Sequence, residues 1–290
     1  MPAIQSMTAF ARRERVFPWG SLSWEVRSVN HRYLEAQVRL PESVRHIEMP
    51  SRELLRERIG RGKVDCNLRL HAGRTTPGSL AIDDDFVRRL HAASTHVCTL
   101  MGPLGTPNAL DVLRWPGVIA EQQPDEDEVA HGVLGLLDET LGDLVAMRTR
   151  EGATLAAQLE QRLARIDTIV GEIRSGLPSI LDTHRQRLRE RTAELGATID
   201  AQRLEQEIVL LAARSDVAEE LDRLQSHVHE TRHSLATGGC CGRRLDFLMQ
   251  EFNREANTLA SKSLSAPTTR SAVELKVLIE QMREQVQNIE

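Results

Sequence analysis

Apolar and polar residues alternate at period two over Ser23–Val29 and again over Tyr33–Leu40, the signature of half-buried strands. Asn30, His31 and Arg32 sit between the two runs, at a turn or bulge. From Pro41 and Glu42 the apolar spacing lengthens to three and four. This predicts a helix to about Ile59, with Ile47, Leu54 and Leu55 inward and Gly60 and Gly62 ending it. Alternation returns over Lys63–His71, where Val64, Cys66, Leu68 and Leu70 share one face. The pattern is a strand–strand–helix–strand unit around an antiparallel or mixed sheet. Thr75–Ser79 follows as a turn-rich connector.

Beyond it no strand pattern recurs. Asp83–Asp85 open a helix to about Leu100, Met101–Asn108 is a Gly/Pro loop, and a short helix over Ala109–Leu113 is broken by Trp115-Pro116-Gly117. The acids Asp125–Glu128 suit a helix start, because they complement its dipole. From about Glu139 to Leu195 apolar residues recur at three and four, with Leu155, Leu159, Leu163, Ile166, Val170 and Ile173 as a stripe. Pro178 predicts a kink or a restart. A helix this long and amphipathic calls for a partner helix, in the same chain or in another subunit. Three more helices are expected at about 201–236, 242–260 and 270–288, the first two separated by Gly238-Gly239. The expected class is therefore α+β: a small amino-terminal sheet with helices, then a mostly helical region with a long helix and a carboxyl-terminal bundle. The regions are 1–80, 81–198 and 199–290.

Composition narrows this picture. The chain has 290 residues, 40% of them hydrophobic, and a net charge of −5, enough apolar material for packed cores. No run of 18 apolar residues suggests a membrane span, and Met1–Ser6 has neither a basic start nor an apolar stretch of the secretory kind. Cys66, Cys98, Cys240 and Cys241 show no zinc-type spacing, and a reducing cytoplasm is the expected setting. The charge is uneven. Residues 1–74 carry 14 Lys and Arg against 8 Asp and Glu, whereas both later thirds are net acidic. A polyanion would be drawn to the first part, although solvated surface charge gives the same count. Walker A, Gly-x-Gly-x-x-Gly, Gly-x-Ser-x-Gly and His-Glu-x-x-His are all missing.

Three groupings carry candidate chemistry. On the expected helix 201–236, Asp216, Glu220, Arg223 and His227 are spaced by four, three and four and so share a face. Two carboxylates and an imidazole suit a divalent ion, or general acid–base work by the His. A solvated face of ion pairs has the same spacing. On helix 242–260, Glu251 and Glu255 are one turn apart beside Asn253, Arg254 and Asn257, with Phe247 and Leu248 as expected apolar anchors. The short Gly238-Gly239 turn favours antiparallel packing, which would set Glu251 and Glu255 across from Glu220 and His227. The third grouping, Arg27, Asn30, His31, Arg32 and Tyr33, offers phosphate contacts and base stacking. The bland reading there is a turn with Tyr33 in the core.

These residues also carry a likeness. Ser6-Met7-Thr8-Ala9-Phe10, Trp24–Leu34 and Arg61–Val64 resemble the amino-terminal signature of the bacterial YicC/YloC family. Asp216–Leu224 with His227, Gly242–Thr258, Ser261-Lys262-Ser263 and Arg283–Glu290 resemble its carboxyl-terminal pattern. The resemblance implies a cytoplasmic, divalent-metal-dependent endoribonuclease, acting on RNA that includes small regulatory RNA and assembling as a ring-like homo-hexamer. Other RNA-decay enzymes are further expected partners. From spacing and chemistry, Asp216, Glu220, His227, Glu251 and Glu255 are the expected holders of one or two Mg²⁺ or Mn²⁺ ions. His227, Glu251 and Glu255 are the expected catalytic groups. Either an ion-bound water attacks the phosphodiester, or His227 takes the 2′-hydroxyl proton. Arg243, Arg244, Arg254 and Lys262, with the basic amino-terminal residues, grip the backbone. The competing expectation is a non-catalytic RNA-binding or adaptor protein that assembles as an oligomer.

Overall fold

The computed structural model describes residues 3–72, 82–102, 105, 108–119, 125–194, 216–263 and 265–290, with the backbone alone at 72, 181, 184, 188 and 192–194. It is α+β, a mixed four-stranded sheet followed by helices. The strands are β1 (Ala9–Phe17), β2 (Gly20–Val29), β3 (Leu34–Arg39) and β4 (Gly62–Ala72), in the order β1-β2-β4-β3. Among the described residues only the β3–β4 pair is parallel, and the 3₁₀ turn Glu42–Ile47 and helix α1 (Glu48–Arg58) connect its strands. Parallel neighbours need such a crossover.

β1 was not legible in the sequence, and the structure shows why. Its inward parity runs Ala9, Ala11, Arg13, Arg15, Phe17, which is apolar only at its ends. The two arginines face the next layer, where Arg13 binds Asp143 through Nε at 2.5 Å and Glu139 through Nη1 at 2.7 Å, and Arg15 reaches Glu139 at 2.8 Å.

That layer is helix α4 (Glu126–Glu194), a single helix of 69 residues that runs on through Pro178. At 1.5 Å per residue it spans roughly 100 Å. Two hydrophobic cores share it. Val133, Leu136, Leu137, Leu141 and Leu144 pack under the sheet against Leu22, Trp24 and Val26. The Trp24 indole N–H donates to the Val133 carbonyl at 2.9 Å, which satisfies a buried donor. Leu159, Leu163, Ile166, Val170 and Ile173, most of the stripe read from the sequence, pack on the carboxyl-terminal helices. These are α5 (Ala218–Thr237), α6 (Gly242–Lys262) and α7 (Ala266–Val286). Residues 201–215 of the first expected helix lie outside the described residues, as do the expected region boundaries near 80 and 198. Two lesser helices, α2 (Asp84–Met101) and α3 (Ala109–Leu113), precede α4 in the chain. Among the described residues no helix is long and apolar enough to cross a membrane.

Between the cores both chain ends cross α4. Ser6 N–H donates to the Arg148 carbonyl, Met7 N–H to the Asn288 carbonyl and Glu290 N–H to the Gln5 carbonyl. Arg148 lies at the centre, 1% exposed, donating through Nε to Ser6 O at 2.6 Å and through Nη2 to Glu290 Oε2 at 2.7 Å. Burial lowers the pKa of this guanidinium, and the Glu290 carboxylate opposes the shift. A Cβ at Gly152 would collide with the Ile4 carbonyl, and one at Gly242 with the Ile289 carbonyl. Glycine at these two positions lets backbone meet helix directly.

Candidate functional site

α5 and α6 run antiparallel, and side chains meet across their seam in rungs. Glu230 pairs with Arg244, Arg223 with Glu255 at 3.3 Å, and Glu220 with Lys262 at 2.9 Å. His227 occupies the place between the first two of these pairs, edge-on to Phe252 with ring centroids 5.6 Å apart. Heptad-like packing creates the seam. Leu221, Leu224 and Val228 of α5 and Leu245, Leu248, Phe252, Ala256 and Leu259 of α6 are buried, which holds the flanking polar residues opposite one another.

The acids of this row are unusually enclosed. Glu220 is 6% exposed and Glu255 3%. A buried carboxylate needs partners, and each has a cation. Lys262 Nζ also donates to the Asp216 carbonyl at 2.9 Å. Hydrogen bonding to Glu255 raises the pKa of Arg223, and hydrogen bonding to Glu220 raises that of Lys262, so both stay protonated. Two buried polar atoms of this seam have no partner among the described residues, Glu220 Oε2 and His227 Nε2. Desolvation lowers the His227 pKa below its ordinary 6.5, against the opposing pull of Glu255 and Glu251. The imidazole is therefore neutral at neutral pH, with an unused ring nitrogen, and feels the charge of the Glu255 and Glu251 carboxylates.

The expected residues divide between several places. Glu220, His227, Glu251, Glu255 and Lys262 line the α5–α6 seam. Asp216 does not share the helical face predicted for it, because α5 begins at Ala218. Its carboxylate accepts from the Ala218 N–H at 3.0 Å instead, turning the chain into the helix. Phe247 is not an anchor: it is 60% exposed, and Phe252 fills the core in its place. Arg244 is taken by Glu230, while Arg243 and Arg254 are exposed on the outer side of α6. Arg27 lies on the outward face of β2. Asn30 donates to the Gln287 carbonyl at 2.6 Å, docking its loop on the end of α7. His31 Nδ1 lies 3.0 Å from the Tyr33 carbonyl. Tyr33 is 65% exposed, outside the core, with the Arg32 guanidinium 5.2 Å from its ring centroid. Sequence spacing gave no sign of the Arg223–Glu255 link, which depends on helix register. Nor did it reveal the Arg148–Glu290 junction between distant parts of the chain.

Carboxylates and an imidazole are the right donors for Mg²⁺ or Mn²⁺. Their placement is not that of a formed site. Among the described residues no three His, Cys, Asp or Glu side chains gather as ligands, and Glu220 and Glu255 are committed to cations. As placed, the residues do not fit an ion held by one chain.

Comparison with known proteins gives the family. Residues 4–157 match the profile described as the N-terminal region of endoribonuclease YicC-like proteins, and residues 173–290 match the profile of their C-terminal part. A Haemophilus influenzae protein named probable endoribonuclease YicC is 48% identical over 287 residues, covering 99% of this chain and 100% of the relative. A Clostridioides difficile protein of the same name is 30% identical over 290 residues, covering 98% of this chain and 99% of the relative. With both halves matched and two relatives aligned almost end to end, the chain belongs to the endoribonuclease YicC-like family.

Proposed function

We propose that this protein is an endoribonuclease whose cutting centre is the α5–α6 seam, with His227 as the proton acceptor. The observation that carries this reading is the His227 ring, half-buried, neutral, unpartnered at Nε2 and flanked by Glu251 and Glu255. A neutral imidazole can accept the 2′-hydroxyl proton of RNA. The 2′-oxygen then attacks phosphorus, the bond to the 5′-oxygen breaks, and that oxygen takes a proton from water. The products are a 2′,3′-cyclic phosphate and a 5′-hydroxyl. Arg223, whose side chain is 51% exposed, shifts to admit the phosphate. Arg243, Arg254 and Lys262 grip the backbone, and Arg27, His31, Arg32 and Tyr33 hold more of the strand. The family name supports the substrate, and the chemistry of the seam supports the step.

The reading extends to partners. Small regulatory RNA is the proposed substrate class and the cytoplasm the proposed setting. A homo-hexamer is the proposed assembly. Its support is the family resemblance, and the long α4 helix, whose distal part is exposed on the described chain, is the element proposed to meet another subunit. Other RNA-decay enzymes are proposed to act on the cleaved ends. A divalent ion is proposed as a cofactor from the resemblance alone, and no step is assigned to it.

Product ends test the reading. Purified full-length protein is incubated with a single-stranded RNA, with and without EDTA, and the ends are identified by mass spectrometry. Cyclic phosphate with 5′-hydroxyl ends is the expected result, and loss of cutting in EDTA with those same ends is the result expected of a divalent cofactor that supports the seam. Ends of 3′-hydroxyl and 5′-phosphate that vanish in EDTA would move the reaction to an ion-activated water and remove the role given to His227. Intact RNA throughout would leave the adaptor reading.

A further inference from the structure

The outer face of α6, beside the cutting seam, carries a further row of residues. Arg243, Phe247, Gln250, Arg254 and Asn257 follow one another at intervals of three and four, so they share this face. Phe247 is 60% exposed in the middle of the row. Among the described residues the guanidiniums of Arg243 and Arg254 have no ion pair or hydrogen bond. Beside the row α6 and α7 enclose an open groove of about 670 Å³, which Gln250, Arg254, Asn257 and Arg283 help to line. Arg283, on α7, has a buried Nε that donates to nothing among the described residues. Two acids touch the group. Asp246 accepts from Gln250 Nε2 at 3.1 Å, and Glu280 lies 3.7 Å from Arg283 Nη1, beyond hydrogen-bond reach. Asn257 Nδ2 donates to Asn253 Oδ1 at 3.0 Å, which fixes the amide plane and leaves the Asn257 oxygen unused.

We infer that this face is a binding track for a single-stranded RNA segment next to the cleaved bond, with Phe247 as a stacking platform for one base and Arg254 and Arg283 as the clamp on the neighbouring phosphate. The inference rests on the endoribonuclease reading, because it supplies the strand that the seam would cut. The chemistry is specific to a nucleotide chain. An exposed aromatic ring between two guanidiniums stacks a base of any sequence, and the cations neutralise the phosphates on either side. The groove adds amides that can pair with a base edge. Its far end leads towards the basic sheet. Asn30 docks on the Gln287 carbonyl, one helical turn beyond Arg283, so the loop holding Arg32 and the exposed Tyr33 lies next along the same path. A second aromatic ring and a cation thus continue the pattern of the first.

The test measures binding of the full chain to a fluorescent single-stranded RNA, read by anisotropy and independent of cutting. Phe247→Ala is expected to raise Kd about tenfold, the usual scale for one stacked base. Phe247→Trp is expected to retain affinity and to lose its added indole emission when RNA binds. Arg254→Gln and Arg283→Gln are each expected to lower the slope of log K against log salt by about 0.7, one phosphate's share for a single strand. Because Arg283 is partly enclosed, the exposed Phe247 and Arg254 variants decide the matter if Arg283→Gln fails to fold. Unchanged affinity and salt slope in those two variants would overturn the track. So would a fall in oligomer mass for Phe247→Ala with RNA affinity intact, which would make this face a contact between subunits. Failure of the wild type to cut RNA would count against the proposed activity but not against the track, which is read by binding alone.

Discussion

The sheet lobe and the carboxyl-terminal bundle both join charged side chains across an interface, but they do so in different surroundings. Where the sheet meets α4, Arg13 and Arg15 bind Glu139 and Asp143, and Arg58 binds Asp138, with side chains between 37% and 48% exposed. Arg13 lowers the Asp143 pKa, and Arg15 with Arg13 lowers that of Glu139, as expected of ordinary surface pairs. In the bundle the carboxylates of Glu220 and Glu255 are almost fully enclosed, and an imidazole beside them is left without a partner. A surface pair helps to fix register and contributes little else. A buried pair costs desolvation and becomes worth keeping where reactivity is needed. The same Arg–carboxylate chemistry therefore marks a seam in one lobe and a candidate reaction centre in the other.

Four changes sharpen that contrast. Replacing Glu251 and Glu255 together by Ala should lower the RNA cleavage rate by about 10² or more, because the carboxylates that flank the imidazole are lost. Cleavage at the wild-type rate would place the seam among merely structural contacts. Arg148→Ala removes a buried charge from Glu290 and from the Ser6 carbonyl, and a loss of about 3–5 kcal/mol is expected by chemical denaturation. Gly152→Ala forces the chain near Ile4 off α4, at about 1–3 kcal/mol, visible as a lower Tm. Arg13→Ala should cost about 1 kcal/mol or less, with the difference shrinking at high salt. A large Arg13 effect that persists in salt would erase the distinction between the lobes.

Much of this architecture could be read from the chain, and the failures have physical causes. β2, β3, β4 and α1 announce themselves because their inward positions are apolar. β1 does not, since Arg13 and Arg15 occupy inward positions and face acids that lie more than a hundred residues away. The stripe on α4 was visible from Leu155 to Ile173. The continuity of that helix from Glu126 was not, because Gly132, Gly135 and Gly142 weaken the local pattern and tertiary packing decides the matter. At Gly132 a Cβ would lie 3.2 Å from the stacked rings of Phe17 and Trp19. Within the candidate site, spacing brought Glu220, His227, Glu251 and Glu255 to attention. It could not show that Lys262 and Arg223 take two of the acids, since the register between two helices is set by Leu224, Phe252 and their neighbours. Phe247 and Phe252 illustrate the same limit: five residues apart on one helix, one is exposed and the other buried.

His227 also gives the account a pH signature. Its pKa is lowered in the folded chain, so the unfolded chain binds more protons between the two values. Its contribution to stability is present above the ordinary 6.5 and is lost as pH falls from there towards the folded value. As a proton acceptor it must also be neutral to work. The most direct measurement is the pH dependence of kcat/KM for RNA cleavage by the wild type and by His227→Gln. The wild-type rate is expected to be level above about pH 6.5 and to fall on the acid side, and the variant to be slower by about 10²–10⁴ with a residual rate that lacks that limb. A His227→Gln enzyme that cuts at the wild-type rate, with the same acid limb, would contradict the role given to His227.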